Sequence, residues 1–486
     1  MERLEPLQEE QAAPRRNPLG YEPIPKLLRQ FALPAVISMV VNALYNIVDQ
    51  IFIGQGVGYL GNAATTVAFP IVTIVLSVST LLGAGGSAYA AIKLGEKKER
   101  EAEITLSNMF VLLIGVGVVL TVLGLVFLDP ILRLFGATNK VMPYARDYSF
   151  IIMLGIPFNM LGVGLSNLAR TDGAPKLSMY SMLAGAILNT ILDPVYIFVF
   201  HWGVTGAAIA TVTSQLISAA ILVYYFWKKG SMRFHRKDMR LHPRICGMTA
   251  ALGISSCITQ LASTLLQIVM NNSLVHYGDM SEVSGEVALS AMGIVMKVSM
   301  ILISVCIGIG VGSQPILGFN QGANQPRRIR KAYLTAVGLS TAVSVVGWLA
   351  CILIPDVLLL LFGTEDAVFT DFAVKCMRVF MAGVFCAGFQ IVSTNYFQAT
   401  GQPVKASILS LLRQVLLLIP LILILPLFWG LDGILAAGPI ADVGAGLIVL
   451  AFALHEMKRL KAWIARQEAE PAASGAAERE PVPQQP

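Results

Sequence analysis

Apolar residues in this chain are gathered into long runs that are separated by short polar segments. Each run holds roughly twenty residues or more, enough for a helix to cross the ~30 Å hydrocarbon core of a bilayer. The pattern therefore predicts an all-α polytopic membrane protein with twelve transmembrane helices. The predicted spans are 28–54, 62–92, 105–128, 146–169, 177–200, 204–227, 246–276, 287–318, 332–354, 371–398, 406–428 and 432–457.

The composition agrees with this prediction and excludes several functions. Of 486 residues, 55% are hydrophobic and only 13% are charged, too few for the surface of a soluble protein. The six cysteines stand singly in apolar runs, and the sequence has no Walker A motif, zinc-ligand spacing or catalytic-triad pattern. We therefore expect no cofactor and no enzymatic activity. The net charge of +6 is no sign of a nucleic-acid partner, because in a membrane protein the location of the charged residues matters more than their sum. We therefore expect no nucleic-acid partner.

Basic residues are concentrated in alternate connections between the spans. One set of connections, together with both termini, carries 28 of the 35 Lys and Arg residues, whereas the opposite set carries three. Because positively charged loops stay in the cytoplasm, this bias predicts that both termini are cytoplasmic. We expect a multi-pass protein of a bacterial-type cytoplasmic membrane, surrounded by lipid and functional as a monomer.

The second half of the chain repeats the first at a spacing of about 227 residues. Six spans in each half give both halves the same orientation, so a pseudo-twofold axis along the membrane normal should relate two six-helix lobes. A central cleft is expected between these lobes. The repeated segments are Leu134-Phe135-Gly136 with Leu361-Phe362-Gly363, Trp202-Gly203 with Trp429-Gly430, Gly173-Ala174-Pro175 with Gly401-Gln402-Pro403, and Gly86-Ser87 with Gly312-Ser313.

This organisation divides the chain into five segments. The strongly basic linker between the lobes favours a topogenic role at the lipid headgroups over a specific binding site. The end of the chain is rich in Ala, Glu and Pro, which predicts disorder beyond about residue 466. The segments are a cytoplasmic N-terminal segment (1–27), the N-terminal lobe (28–227), the linker (228–245), the C-terminal lobe (246–457) and a cytoplasmic tail (458–486).

Polar residues form a stripe along one face of the first span and of the seventh. Their spacing of i, i+4, i+7 and i+11 corresponds to one side of a helix. Aligning the two stripes sets Asn271 opposite Asp49, at a local spacing of 222 residues. Stripe residues are candidates for lining the cleft, above all Asn42, Tyr45, Gln267 and Asn271. The stripes consist of Ser38, Asn42, Tyr45 and Asp49 in the first span, and of Gln260, Thr264, Gln267 and Asn271 in the seventh.

Two carboxylates lie inside the N-terminal lobe, at similar depth in their spans. Asp49 stands about five residues, and Asp193 about seven, before the outer end of its predicted span. Two adjacent carboxylates in a medium of low dielectric constant cannot easily both stay ionised. Such a pair can take up a proton or, with a neutral oxygen such as that of Asn189, a monovalent cation. Alternatively, Asp193 alone reaches the headgroup region at a helix end.

The C-terminal lobe carries different charges inside its spans. Lys297 lies ten residues into the eighth predicted span, where it either lines the cleft or holds the lobe together through hydrogen bonds. Arg413 lies near an end of the eleventh span, from which its side chain can reach the interface. Asp442 has no polar stripe beside it and is expected to be structural. The part of the eleventh span that corresponds to Asn189 and Asp193 of the fifth span, near residues 415–420, has no acid.

Over residues 25–460 the sequence resembles the MATE (multidrug and toxic compound extrusion) transporters. The resemblance rests on the six-plus-six duplication, on the paired Gly-x-Pro turns and on Pro34 followed by the segment 49–54 (DQIFIG). It also rests on the NxxxD pattern from Asn189 to Asp193.

The resemblance implies a V-shaped, outward-facing cleft and export of amphipathic, often cationic compounds in exchange for H+ or Na+. It makes Pro34 a candidate hinge of the first helix. Asn271 and Lys297 stand where some members place essential acids in the C-terminal lobe, which argues against a cation site in that lobe. The cation-coupling residues that the resemblance implies, whether for a proton or for Na+, are Asp49, Asn189, Asp193 and Thr211.

Two other functions stay open on the sequence alone. A lipid-linked-saccharide flippase of the same superfamily would share the duplicated helices but would need a more basic cleft. An intramembrane enzyme acting on lipids would need clustered acids or histidines within the spans, whereas the five histidines lie at or beyond span ends.

Overall fold

The computed structural model describes residues 17–135, 137–281, 283–360 and 367–477, and this part of the chain is helical with no strand. Twelve of its helices are long and apolar enough to span a membrane, which confirms the predicted fold class. They are α1 (Ile24–Val57), α2 (Tyr59–Gly95), α3 (Glu99–Val126), α4 (Met142–Thr171), α5 (Pro175–Val199), α6 (Gly203–Lys228), α7 (Pro243–Asp279), α8 (Gly285–Gly322), α9 (Pro326–Leu353), α10 (Phe369–Ala399), α11 (Pro403–Trp429) and α12 (Leu431–Ala477).

Several of these helices depart locally from α-helical geometry. α5 ends in a π-helical turn at Val195–Val199, directly after Pro194, and α11 contains another at Leu412–Leu418, directly before Ile419 and Pro420. A proline removes one backbone donor and crowds the preceding turn, so the wider turn before Pro420 relieves a clash, an explanation that does not apply to the π turn after Pro194. Both π turns lie beside the intramembrane charges described below.

The backbone confirms the duplication that the sequence predicts. Residues with positive φ recur at the same spacing and with nearly the same angle, for example Lys97 (61°) and Asn324 (60°). Gly173 and Gly401, which precede the repeated prolines, have φ of 86° and 77°, a conformation that glycine adopts without strain. The Leu-Phe-Gly pair includes Gly136 and residues 361–363, which lie outside the described part of the chain.

The first helix packs into both lobes. Leu27 and Phe31, in its N-terminal half, belong to a buried cluster with Ile316 of α8 and Tyr333 of α9. Ile53, in its C-terminal half, instead packs in a cluster of the first lobe. The boundary at residue 228 therefore divides the sequence into repeats but does not divide the hydrophobic core, and α1 connects the two lobes mechanically.

Helices α1 and α8 approach each other closely across the boundary between the lobes. A Cβ atom at Gly308 would lie 2.5 Å from Cα of Val36, and one at Gly312 would lie 2.5 Å from Cα of Ala32. Real Cβ atoms do not come so near, so glycine is required at both positions for the helices to pack.

Helices α2 and α7 make the symmetry-related approach, with Gly85 against Thr249 and Gly253 against Leu81. In all four helices the contact lies in the half nearer to the connection between α6 and α7. The lobes are thus packed together on that side of the molecule. The space between them opens on the other side, where the polar faces of α7 and α8 are exposed.

The linker between the lobes is anchored to the first lobe. The buried carboxylate of Asp172 accepts hydrogen bonds from the backbone N–H groups of Ser231 (2.9 Å) and Met232 (2.7 Å) and from the hydroxyl of Tyr225 (2.7 Å). Burial raises the pKa of this carboxyl to about 6, against the effect of the three donors. The backbone of this turn is thus bound by protein groups, and the role of the linker at the lipid headgroups stays a prediction.

The tail is more ordered than its composition suggests. α12 continues to Ala477, whereas the sequence predicts disorder beyond about residue 466. Ala, Glu, Gln, Lys and Arg are strong helix formers, so a helix that leaves the membrane can continue through them. Gln467 also donates a hydrogen bond to the carbonyl oxygen of Asn324 at 2.9 Å. Residues 478–486 lie outside the described part of the chain.

Candidate functional site

The four predicted cation-coupling residues come together inside the first lobe. Asp49 is carried by α1, Asn189 and Asp193 by α5, and Thr211 by α6. The amide nitrogen of Asn189 donates to Oδ1 of Asp193 and to Oγ1 of Thr211, both at 3.3 Å. The carboxyl groups of Asp49 and Asp193 lie within hydrogen-bonding reach of each other. We call this cluster the acid pocket.

Oxygen atoms of the acid pocket lack partners. Oδ1 of Asp49, Oδ1 of Asn189 and Oδ2 of Asp193 are buried and receive no hydrogen bond from any described residue. Neither carboxylate forms an ion pair within the described part of the chain. Leaving a buried acceptor unsatisfied costs about 1–3 kcal/mol, and more when it is charged. A proton or a cation bound in the pocket would therefore stabilise these oxygens.

The local sequence explains why these side chains point inward. Asp193 is fully buried and stands immediately before Pro194, where the helix changes to the π turn. Asn189 is one turn earlier on the same face of α5. On α1, Asp49 is thirteen residues beyond Val36, which places it on roughly the opposite face from the contact with α8. The acid consequently faces its own lobe.

Two tyrosines lie close enough to the pocket to be affected by the charge of both acids. Tyr45, from the stripe on α1, was predicted as a cleft residue, and here it lies beside the carboxyl groups. Tyr148 of α4 is buried and lies near both acids as well. Tyr148 could not be predicted from the sequence, because α4 begins with a polar stretch in which no single-faced stripe stands out.

The donor set of the acid pocket fits either of the two expected ions. Carboxylate, amide and hydroxyl oxygens are the ligands of hard cations such as Na+, and a pair of adjacent carboxyl groups can also share a proton. In both cases the ion would be held by Asp49 and Asp193 with help from Asn189 and Thr211. Binding of either a proton or Na+ reduces the negative charge of this buried site by one unit.

The polar stripe of α7 occupies a different place from that of α1. Gln267 and Asn271 are exposed, and Asn271 lies eighteen residues, or five full turns, beyond Gly253. It therefore shares the face of α7 that contacts the other lobe, whereas Asp49 faces away from that boundary. The predicted pairing of Asn271 with Asp49 does not hold, because the two stripes differ in helical phase. The α7 stripe faces the space between the lobes.

The other candidates of the first helix differ in their surroundings. Asn42 is exposed, and its carbonyl oxygen accepts a hydrogen bond from the side chain of Asn46 at 2.6 Å. Pro34 is buried, and α1 continues as a helix through it. The hydroxyl of Ser38 donates to the carbonyl oxygen of Pro34 at 2.8 Å. Pro34 lies within the part of α1 that contacts the second lobe, between Ala32 and Val36 and fifteen residues before Asp49, and its role as a hinge stays a prediction.

In the second lobe, the guanidinium of Arg413 pairs with the buried carboxylate of Asp442. The prediction that Arg413 reaches the membrane interface is therefore wrong, because its charge is neutralised inside the lobe. Asp442 has the structural role predicted for it, and its backbone carbonyl also accepts a hydrogen bond from Gln390 at 2.7 Å.

The twelve helices, the two lobes and the buried polar pocket define a polytopic membrane transporter. The MatE family model matches residues 34–195 and 255–424, one block in each lobe. The chain belongs to this family, whose members are transporters and not enzymes, and the predicted resemblance is confirmed.

Similar proteins cover nearly the whole chain. The multidrug export protein MepA of Staphylococcus aureus (strain N315) is 28% identical over 423 residues, 86% of this chain and 91% of MepA. MepA of Staphylococcus haemolyticus (strain JCSC1435) is 26% identical over 430 residues, with 87% and 92% covered. The structure of the MATE multidrug transporter DinF-BH, solved as a complex, is 36% identical, with a TM-score of 0.81 over 90% of this chain and 96% of that one. An outward-facing MATE family transporter shares the fold at 22% identity, with a TM-score of 0.85 over 91% and 98%.

Proposed function

We propose that this protein is a secondary active antiporter that exports amphipathic, mainly cationic compounds in exchange for H+ or Na+. The ion binds in the acid pocket. The observation that carries this proposal is a set of three buried oxygens in the first lobe, from two carboxylates and an amide, which receive no hydrogen bond from any described residue. Buried acceptors without donors destabilise the protein, and a cation bound from outside would remove this cost.

The position of α1 suggests how ion binding acts on the cleft. The helix brings Asp49 to the acid pocket at one end, and at the other end it packs in the core of the second lobe. When an ion neutralises the pocket, the repulsion between Asp49 and Asp193 falls and α1 packs differently against α5. Pro34 is the hinge at which this difference would bend the helix. Because α1 contacts both lobes, a bend in this helix would change how the two lobes pack against each other.

The energy available from the ion is sufficient for modest uphill export. One elementary charge crossing 100 mV yields about 2.3 kcal/mol. A factor of ten in concentration corresponds to about 1.4 kcal/mol. Each exchanged ion can therefore sustain a gradient of more than tenfold for a substrate without net charge. A one-for-one exchange with a monovalent cation moves no net charge and draws only on the concentration gradient of the ion.

The similar proteins support the substrate class. The Staphylococcus relatives are named as multidrug export proteins, and DinF-BH is named as a multidrug transporter. We infer that this chain likewise takes small amphipathic molecules into the cleft, along a wall that includes Asn42, Gln267 and Asn271. The flippase alternative is weaker, since pairing with Asp442 removes Arg413 from the basic groups available to a pyrophosphate.

The charge bias supports the orientation that we propose. Both termini, the linker and the packed ends of the lobes then lie on the cytoplasmic side of a bacterial-type cell membrane, and the space between the lobes opens outward. A single chain contains the acid pocket and both walls of the cleft, so we propose that the monomer is functional.

Efflux of rhodamine 6G, a fluorescent cationic dye, from cells and its transport in proteoliposomes with an imposed Na+ or pH gradient test this function. Asp49→Asn should reduce gradient-driven transport about a hundredfold, because the pocket then no longer exchanges one unit of charge. Expression and folding should be unchanged. Asp129→Asn is the matched control, since this acid is half-exposed and pairs with Arg146 outside the pocket. Gradient-driven transport at the normal rate in Asp49→Asn would overturn the proposal.

A further inference from the structure

Lys297 lies on the face of α8 that meets the other lobe. It precedes Gly308 by eleven residues, just over three helical turns, so the two residues share one side of the helix. Gly308 and Gly312 press against α1 on this side. Ser304, one turn before Gly308, is still buried, whereas Lys297 is exposed. The lobes have therefore separated at this level, and the ammonium group faces the space between them.

The charge of Lys297 is not neutralised within the described part of the chain. It forms no ion pair and no hydrogen bond with any described residue. Two other cations inside the helices, by contrast, are partnered. Arg413 pairs with Asp442, and the buried guanidinium of Arg170 donates to the hydroxyl of Ser178 at 2.8 Å.

The surroundings of Lys297 favour an anionic group as its occupant. A charged amine within a hydrocarbon-length helix costs at least a few kcal/mol unless water or an anion solvates it. A carboxylate that reaches an ammonium group in a partly dehydrated cleft forms a charge-assisted hydrogen bond, among the strong polar contacts in proteins. Beyond its contact with α8, α1 carries the exposed neutral amides of Asn42 and Asn46, and its one acid, Asp49, is turned into the first lobe. The described residues of α1 therefore offer Lys297 no carboxylate.

We propose that Lys297 is a specificity-determining residue that recognises the carboxylate of zwitterionic substrates. In this arrangement the carboxylate of the substrate binds Lys297 in the second lobe, and its cationic end points toward the first lobe. This inference rests on the proposed export function and names a substrate class for it. It accounts for an unpaired lysine in a cleft that is otherwise suited to cations.

A matched pair of dyes tests the proposal. Rhodamine 6G is an ester, and its free-acid form has the same cationic ring system with a carboxylate in place of the ester. In proteoliposomes, Lys297→Gln should raise KM for the free-acid dye about tenfold and change KM for the ester less than twofold, because only the acid loses its partner. Lys297→Arg keeps the positive charge and should return KM for the free-acid dye most of the way to the wild-type value.

Two comparisons make the test specific. Arg378→Gln removes another exposed cation of the same lobe, from the α10 face that also carries the Lys375–Asp432 ion pair, and it should leave the ratio of the two KM values unchanged. In the wild-type protein, which needs no variant to fold, the free-acid dye should inhibit rhodamine 6G efflux at about one tenth of the concentration required of the corresponding tertiary amide, which keeps the cationic ring.

Equal changes for both dyes in Lys297→Gln, an equal effect of Arg378→Gln, or equal inhibition by acid and amide would each overturn the role of Lys297. Absence of rhodamine 6G transport in the wild-type protein would instead overturn the export function itself.

Discussion

The two lobes have the same helical order, but they neutralise their buried charges differently. In the first lobe, Asp49 and Asp193 lie together without a cationic partner among the described residues. In the second lobe, Asp442 is held by Arg413. Both sites stand next to a π-helical turn in the repeated helix, α5 or α11.

This difference shows how the two copies of a duplicated fold can take different roles, one with acids free to bind an ion and one with an acid permanently paired with an arginine. A carboxylate that carries its own arginine has no need of an ion from solution, and breaking the pair costs several kcal/mol. A carboxylate pair without an arginine is costly when empty and is relieved by any suitable cation. Under the function that we propose, the first lobe would respond to an ion gradient, while the second would provide a rigid partner for α1 to move against.

The sharpest way to break this comparison is Asp193→Asn. We expect gradient-driven transport to fall about a hundredfold, while the melting temperature in detergent stays the same or rises. The reason is that the substitution removes a buried charge without leaving an unpaired cation behind. Parallel measurements of rhodamine 6G transport and thermal unfolding check both parts. A large loss of stability would show that Asp193 is paired after all, and would refute the contrast between the lobes.

The second lobe should respond in the opposite way. Arg413→Met leaves Asp442 buried and unpaired, so the free energy of unfolding should fall by about 3–5 kcal/mol. Arg413→Met combined with Asp442→Leu should regain most of this loss, because no buried charge is then left without a partner. Thermal unfolding of the single and double variants provides the measurement. If the double variant is no more stable than the single one, the pair does not act as a unit.

Sequence reasoning succeeded where a long pattern determined the outcome. Twelve apolar runs and a constant spacing between repeated turns were sufficient for the fold class and for the two lobes. Similar depth in two spans was enough to bring Asp49 and Asp193 together, because parallel helices in one lobe leave little freedom along the membrane normal. Thr211 was found only through the family resemblance, since a single threonine in an apolar helix has no pattern of its own.

The features that sequence reasoning missed depend on rotation of helices and on packing between lobes. The ion pair of Arg413 with Asp442 requires two helices to turn the right faces to each other, which hydropathy does not encode. The same uncertainty in rotation led to the pairing of Asn271 with Asp49, which the phase of α7 contradicts. That Leu27 packs in the second lobe could not be seen either, because an apolar residue indicates burial but not the partner that buries it.

The smallest expected effect concerns the neutral part of the acid pocket. Thr211→Val keeps the volume of the side chain and both carboxylates, but it removes the hydroxyl that Asn189 now contacts at 3.3 Å. One neutral hydrogen-bonding group contributes about 0.5–1.5 kcal/mol, so the ion concentration for half-maximal transport should rise about three- to tenfold with little change in maximal rate.

Thr211→Ser supplies the oxygen again and should behave like the wild type, which separates loss of the ligand from loss of packing. A Thr211→Val variant as inactive as Asp193→Asn would mean that the hydroxyl is essential to coupling and not merely supportive. A variant with wild-type ion dependence would remove Thr211 from the acid pocket. The graded result that we expect, with a large effect for a charge and a small one for a neutral oxygen, follows from electrostatic neutralisation as the event to which the first lobe responds.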